Sequence, residues 1–143
     1  MLTDQNVEYE RLITPREVKE QVPLSRESAQ TVMKSRRDLE RILRGEDDRR
    51  IVMMGPCSVH DEKAVMEYAR LMKGLKEMVD DQILLVMRTY VEKPRSTTGW
   101  KGFFYDPHLD GSDDLEHGII ASRSLMGAVT NLGVPVVTEF LNN

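Results

Sequence analysis

Apolar positions along this chain follow two rhythms, and their alternation predicts the elements. Residues 1–24 show neither rhythm: they are polar and irregular, carry Pro15 and Pro23, and admit a short strand around Tyr9–Ile13. They read as an extension that packs on something else. Ser25 then offers an N-cap, and Ala29, Val32, Met33, Leu39, Ile42 and Leu43 follow at helical spacing up to Gly45, a natural C′ residue. The spacing predicts a helix of about five turns. The run Glu46-Asp47-Asp48-Arg49-Arg50 reads as a solvated connector. Ile51-Val52-Met53-Met54 is a short, wholly apolar strand broken by Gly55-Pro56. Asp61 caps a helix with Ala64, Val65, Tyr68, Leu71, Met72, Leu75 and Val79 on one face, and a second apolar strand covers about 83–89. Asp113 or Asp114 caps a third helix through Leu115, Ile119, Leu125, Met126 and Val129, which Gly133 ends. Val134–Phe140 reads as the last strand.

After the first helix the order is β-α-β-α-β, with strands apolar on both faces. That pattern belongs to a parallel sheet covered by helices, and right-handed crossovers make the three strands neighbours. Three strands do not close a barrel, and a (β/α)₈ domain takes roughly 250 residues. The chain is either a small three-stranded α/β unit or the front part of a larger barrel, and the second is preferred. On that reading residues 1–45 form an N-terminal extension and helix, and 46–143 the first three βα units of an incomplete TIM barrel.

Composition narrows the function. A formal charge of −4 and a pI near 5.4 argue against nucleic acid as the main partner. No apolar run approaches membrane-spanning length, and the N-terminus lacks a basic and apolar leader. Cys57, the single cysteine, points to a reducing cytoplasm. Against this acidic background the segment 88–102 stands out, with Arg88, Lys93, Arg95 and Lys101 facing only Glu92. A basic loop leaving a buried strand suggests a site for phosphate or carboxylate groups.

Parallel α/β folds bind ligands where the carboxyl ends of the strands emerge. Three such points exist here: Gly55-Pro56-Cys57-Ser58-Val59-His60 after the first strand, the basic loop after the second, and Thr138 with Glu139 at the third. Cys57 is a soft metal ligand or a nucleophile, or more plainly a buried, inert thiol. One thiolate does not hold a divalent ion, so further donors are required. His60 is three residues away, and setting the entry to the Asp61-capped helix is its simpler role. Arg88 and Lys93 suit two-point binding of an anion and Arg95 a second phosphate; the plainer alternative is a solvated basic loop. Trp100 gives the loop a packing anchor, and Lys101 is its weakest member. Glu139 is either a buried carboxylate that must be paired or protonated, or a residue just past the strand end in water. His108 and His117 have no second partner at a ligand spacing and read as surface or capping residues.

The segments Gly55–Asp61, Met87–Gly102 and Thr138-Glu139-Phe140-Leu141, with Asp106-Pro107-His108, closely resemble type I 3-deoxy-D-arabino-heptulosonate-7-phosphate synthases. The resemblance runs over essentially the whole chain. It implies a cytoplasmic, usually homo-oligomeric (β/α)₈ enzyme of the shikimate route to aromatic amino acids. Such an enzyme joins phosphoenolpyruvate to erythrose 4-phosphate and releases phosphate. It also implies a divalent metal (Mn, Fe, Co or Zn), with Cys57 as one ligand, and an aromatic amino acid as feedback inhibitor. By motif position Arg88 and Lys93 would bind phosphoenolpyruvate, and Lys93, Pro94, Arg95 and Ser96 would line the erythrose 4-phosphate site. Lys93, also near the aldehyde, and Glu139, near the reacting carbon of phosphoenolpyruvate, would be the catalytic residues. Ser96 replaces a common Thr and keeps the hydroxyl, while Asn142 stands where Asp is common. The family's remaining metal ligands and several of its cations come from later strands, so the chain resembles the N-terminal part of such an enzyme. The alternative expectation is a catalytically inactive fragment or subunit-interaction piece. The related 3-deoxy-octulosonate 8-phosphate synthases fit the Lys93–Ser96 and Gly99–Gly102 pattern less well.

Overall fold

The computed structural model describes residues 11–94 and 98–141. The suggested strand at Tyr9–Ile13 falls partly outside them, and residues 11–14 carry no regular structure. A helix the hydrophobic rhythm did not predict, α1 (Pro15–Gln21), follows directly. Thr14 accepts from the Glu17 backbone, Glu17 reaches back to the Thr14 backbone, and Pro15 occupies the first turn, so a complete capping box starts this short element. The second helix, α2 (Arg26–Leu43), begins at the Ser25 cap and ends before Gly45, whose φ of 72° is the left-handed turn predicted there. Ser28 lies buried on it and donates through Oγ to the Gly127 carbonyl at 2.8 Å, which fixes α2 against α4 (Leu115–Asn131).

The sheet holds β1 (Arg50–Met54), β2 (Ile83–Arg88) and β3 (Val136–Val137) in that order, all parallel. Register pairs Ile51 with Leu84 and Met87 with Val136. The connections are α3 (Glu62–Val79), capped by Asp61, and α4, capped by Asp114 rather than Asp113. Asp113 takes a φ of 51°, the turn that sets up its neighbour. The β-α-β-α-β order and the parallel, neighbouring strands are as expected.

Three local expectations change. The last strand is two residues long rather than the full Val134–Phe140 run; Pro135 contributes only its carbonyl, accepting from Met87 N at 2.8 Å. On α3 the buried positions are Val65, Ala69 and Met72, whereas Leu71 is 75% exposed and Ala64 faces water. Leu71 belonged to the predicted stripe but lies on the exposed side of the helix, between the buried Ala69 and Met72. The 46–50 segment is no simple solvated connector, because Arg49 turns inward to a carboxylate cluster.

The main core joins Val65, Met72, Leu85, Met87, Leu125 and Val129 between the sheet and its helices. An apolar groove of about 670 Å³ runs along α1, α4 and β3, with Leu12, Val18, Met126 and Phe140 on its walls. Among the described residues no helix is long and apolar enough to cross a membrane.

Candidate active site

The parallel sheet delivers the ends of β1 and β2 side by side, and Gly55 makes their close approach feasible. A Cβ at Gly55 would lie 2.6 Å from the Arg88 carbonyl oxygen and 3.0 Å from Arg88 Cβ. With no side chain there, the Arg88 guanidinium folds across the β1 exit. Its Nε donates to Pro56 O at 3.2 Å, and Nη2 donates to Gly55 O at 3.3 Å and Pro56 O at 3.2 Å. The Tyr90 ring lies beneath it, 5.1 Å from centroid to Cζ. The Nη1 donors make no hydrogen bond among the described residues, which leaves half of a planar fork for an anion.

Beyond Pro56, Cys57 is exposed and meets Lys93 from the neighbouring loop. Lys93 Nζ stands 3.1 Å from Cys57 Sγ and 3.4 Å from the Cys57 carbonyl oxygen. Sulfur thus sits in a cationic environment, the setting in which thiolates ligate metals or react. The first two strand-end segments therefore meet through side chains predicted for chemistry.

The loop carrying Lys93 is ordered by main-chain bonds. Lys93 N donates to Lys101 O at 2.9 Å, Phe104 N to Val91 O at 3.0 Å, and Val59 N to Tyr90 O at 2.8 Å. Gly102, at φ 112°, lies so close to the Val91 carbonyl that any Cβ would collide with it. Trp100 donates through Nε1 to Asp106 O at 2.8 Å and packs on the core, as expected of an anchor. Lys101 points away to Asp113 at 3.0 Å, both side chains more than half exposed.

Glu139 lies two residues past β3 and is exposed, which favours the reading of a carboxylate in water over a buried one. It still acts on the site through Tyr90, whose phenol is shifted upward by desolvation, then by its hydrogen bond to Glu139 and the charge there, with Arg88 opposing. Sequence reasoning missed Tyr90. Its signal was an aromatic two residues after Arg88, on the same face of an extended segment. It also missed Glu92, counted as a countercharge: that side chain is buried, and its Oε2 accepts from Leu141 N at 3.4 Å, tying the basic loop to the segment after β3. Pro94 is exposed, and Arg95 and Ser96 lie outside the described residues.

Among the described residues Cys57 belongs to no group of three potential ligands, and His60 does not join it in one. The group that does form is His108, Asp114 and His117, whose ligand atoms lie within 4.8 Å of one another. This corrects the reading of the two histidines as lacking partners, although both remain on the surface.

Comparison with known proteins gives a consistent picture. The model of the DAHP synthetase I family matches residues 19–143. The chain is 44% identical over 141 residues to the phospho-2-dehydro-3-deoxyheptonate aldolase, Tyr-sensitive, of Escherichia coli, covering 99% of this chain and 38% of that protein. It is 47% identical over 133 residues to the Trp-sensitive protein of the same name and species, covering 93% and 38%. A solved phospho-2-dehydro-3-deoxyheptonate aldolase from Francisella tularensis superposes with a TM-score of 0.91 at 43% identity, over 96% of this chain and 40% of that one. The chain thus spans about two fifths of the length of these relatives.

Proposed function

Because the chain belongs to the DAHP synthetase I family, we propose that it supplies part of the active surface for condensing phosphoenolpyruvate with erythrose 4-phosphate. The reaction forms a carbon–carbon bond between C3 of the enol and C1 of the aldehyde; water adds at C2 and inorganic phosphate leaves. The observation that carries this reading is the meeting of Lys93 with Cys57 at 3.1 Å beside an Arg88 fork whose Nη1 donors are unused among the described residues. Two phosphates and a carboxylate repel one another, and cations preorganised by the fold offset that repulsion through the reaction.

Arg88 holds phosphoenolpyruvate, oriented by the carbonyls that fix its Nε and Nη2. Lys93 serves both substrates, and with Pro94, Arg95 and Ser96 it forms the sugar-phosphate side. Glu139, linked to Tyr90, stands at the rim near the reacting carbon. A divalent ion (Mn, Fe, Co or Zn) suits the donor chemistry of Cys57, which contributes one soft ligand; the described residues do not complete the set. When bound, such an ion supplies Lewis-acid polarisation of the aldehyde oxygen. The reading extends to a cytoplasmic homo-oligomer restrained by an aromatic amino acid, as the Tyr- and Trp-sensitive relatives are named.

A second reading is favoured by the sheet, whose outer strands β1 and β3 lack further partners among the described residues, and by the open groove ending at Phe140, 81% exposed. On it the 143-residue chain by itself is a catalytically inactive piece that acts by association. The native gene product, given both substrates and Mn²⁺, is expected to release phosphate only when both are present. Failure with each of Mn²⁺, Fe²⁺, Co²⁺ and Zn²⁺ would remove the catalytic reading and leave the second.

A further inference from the structure

We propose that His108, Asp114 and His117 form a metal site separate from Cys57, for a borderline divalent ion of the Zn²⁺ class. The catalytic reading above uses none of these residues, and the proposal does not rest on it. The three side chains come from two segments, the turn after the basic loop and the first turn of α4. The buried Asp106 carboxylate builds that turn by accepting from Asp110 N at 3.3 Å and Gly111 N at 3.1 Å. Leu109 at φ 59° and Asp113 at φ 51° then fold the chain back on itself. This returns His108 to the α4 N-terminus, where Asp114 Oδ2 lies 3.2 Å from its Nε2. Asp114 Oδ1 meanwhile caps His117 N at 3.1 Å, and the two imidazoles stand 4.9 Å apart at 31°.

The ligand atoms lie within 4.8 Å of one another. Around a tetrahedral ion with bonds of about 2.0–2.1 Å they would be roughly 3.4 Å apart, so the group must contract by about 1.4 Å at its widest. All three side chains reach the surface, and rotation about exposed χ angles achieves this without opening the core. The positive end of α4 opposes a cation there. The Asp114 carboxylate counters it at the cap, and Asp110, Asp113 and Glu116 lie close in sequence, with Asp113 already paired to Lys101. Two imidazoles and one carboxylate select Zn²⁺, Ni²⁺ or Cu²⁺ over Mg²⁺ or Ca²⁺, and one coordination position remains for water. A bound ion would clip the end of the basic loop to α4.

The test is zinc competition against a chromogenic chelator near neutral pH, on the protein carrying Cys57→Ser. Uptake of one Zn²⁺ per chain is expected, with a dissociation constant of about 1–10 µM. His117→Gln and His108→Gln should each weaken it at least about tenfold with unchanged far-UV circular dichroism, and His60→Gln should not. Equal affinity in the His117→Gln protein, or no uptake up to about 0.1 mM Zn²⁺, overturns the proposal. So does displacement by equimolar Mg²⁺, which would point to the surrounding carboxylates instead.

Discussion

Two arginines stand at opposite ends of the same sheet, and the fold treats their charges differently. Arg49 precedes β1, at the amino ends of the strands. Its side chain, only 14% exposed, pairs with Asp47 at 2.8 Å and Asp38 at 3.2 Å, with Asp80 at 3.9 Å. Arg88 ends β2, at the carboxyl ends of the strands, and among the described residues its partners are two neutral carbonyls and an aromatic face. One cation is saturated by carboxylates; the other is oriented but not neutralised. The first arrangement ties a connector to a helix, and the second keeps positive potential for a ligand. In parallel α/β architecture these are also the structural and the functional ends of the strands.

The contrast breaks most directly at Lys93, the other cation of the carboxyl end. Lys93→Ala is expected to lower kcat/KM for phosphate release by about 10²–10³, the scale for losing a preorganised charged donor. Arg88→Ala should fall in the same range, with the loss concentrated in phosphoenolpyruvate use. Neither should move the melting temperature by more than about 2 °C, since among the described residues neither cation is paired to a carboxylate. A large loss of stability in either variant would show that the carboxyl-end cations are structural after all.

Arg49→Met should do the reverse. It removes the partner that Asp38 and Asp47 share and leaves Asp38 with Lys34 alone, so the urea midpoint should fall further than in Arg88→Ala. The loss stays below that of breaking a fully buried pair, because water still reaches the cluster. Activity per folded molecule should be retained.

That cluster was illegible in the sequence for a physical reason. The run 46–50 is dense in charge, and density of charge ordinarily means solvent; only the spatial return of Asp38 from α2 shows that Arg49 turns inward. His108 and His117 escaped in the same way, brought together by a turn that Asp106 organises rather than by spacing on one element. By contrast, α2, α3 and α4, the first two strands and their parallel order follow from apolar rhythm and caps at Ser25, Asp61 and Asp114. The Thr14–Glu17 capping box was readable too, but α1 is too short for a hydrophobic rhythm to announce it. At the site, the strand-end positions of Cys57, Arg88 and Lys93 were legible because topology alone places them on one face. The roles of Tyr90 and Glu92 depend on side-chain packing that no local pattern encodes.

Acid sharpens the contrast further. Asp47 is lowered to about 2, first by its side-chain hydrogen bond to Arg49. For Asp38 burial pushes upward, but the hydrogen bonds from Lys34 and Arg49 outweigh it and the net shift is downward. A carboxylate depressed in the folded state adds stability that is complete above its unfolded value, about 3.9, and is lost as pH falls through the folded one. The urea midpoint should therefore drop between about pH 4 and pH 2 more steeply in the wild type than in Arg49→Met. Arg88→Ala should follow the wild-type slope. Identical slopes for all three proteins would mean that the Arg49 cluster contributes nothing through its charges.

The smallest expected effect separates the two arginines by ligand alone. A phosphate ester that binds only the folded protein stabilises it by RT ln(1 + [L]/Kd), about 1.4 kcal/mol at ten times Kd, or roughly 3–5 °C in melting temperature at this size. Phosphoenolpyruvate should give that increment in the wild type and in Arg49→Met, whose starting point is lower but whose carboxyl-end cations are intact. Arg88→Ala should lose it. Raising salt should shrink the increment in both responding proteins, because an exposed cationic site is screened. The informative failure is an increment that disappears in Arg49→Met and survives in Arg88→Ala. In that case the ester would be recruiting the amino-end cation in spite of its carboxylates, and saturation by acidic partners would no longer distinguish a structural arginine from a binding one.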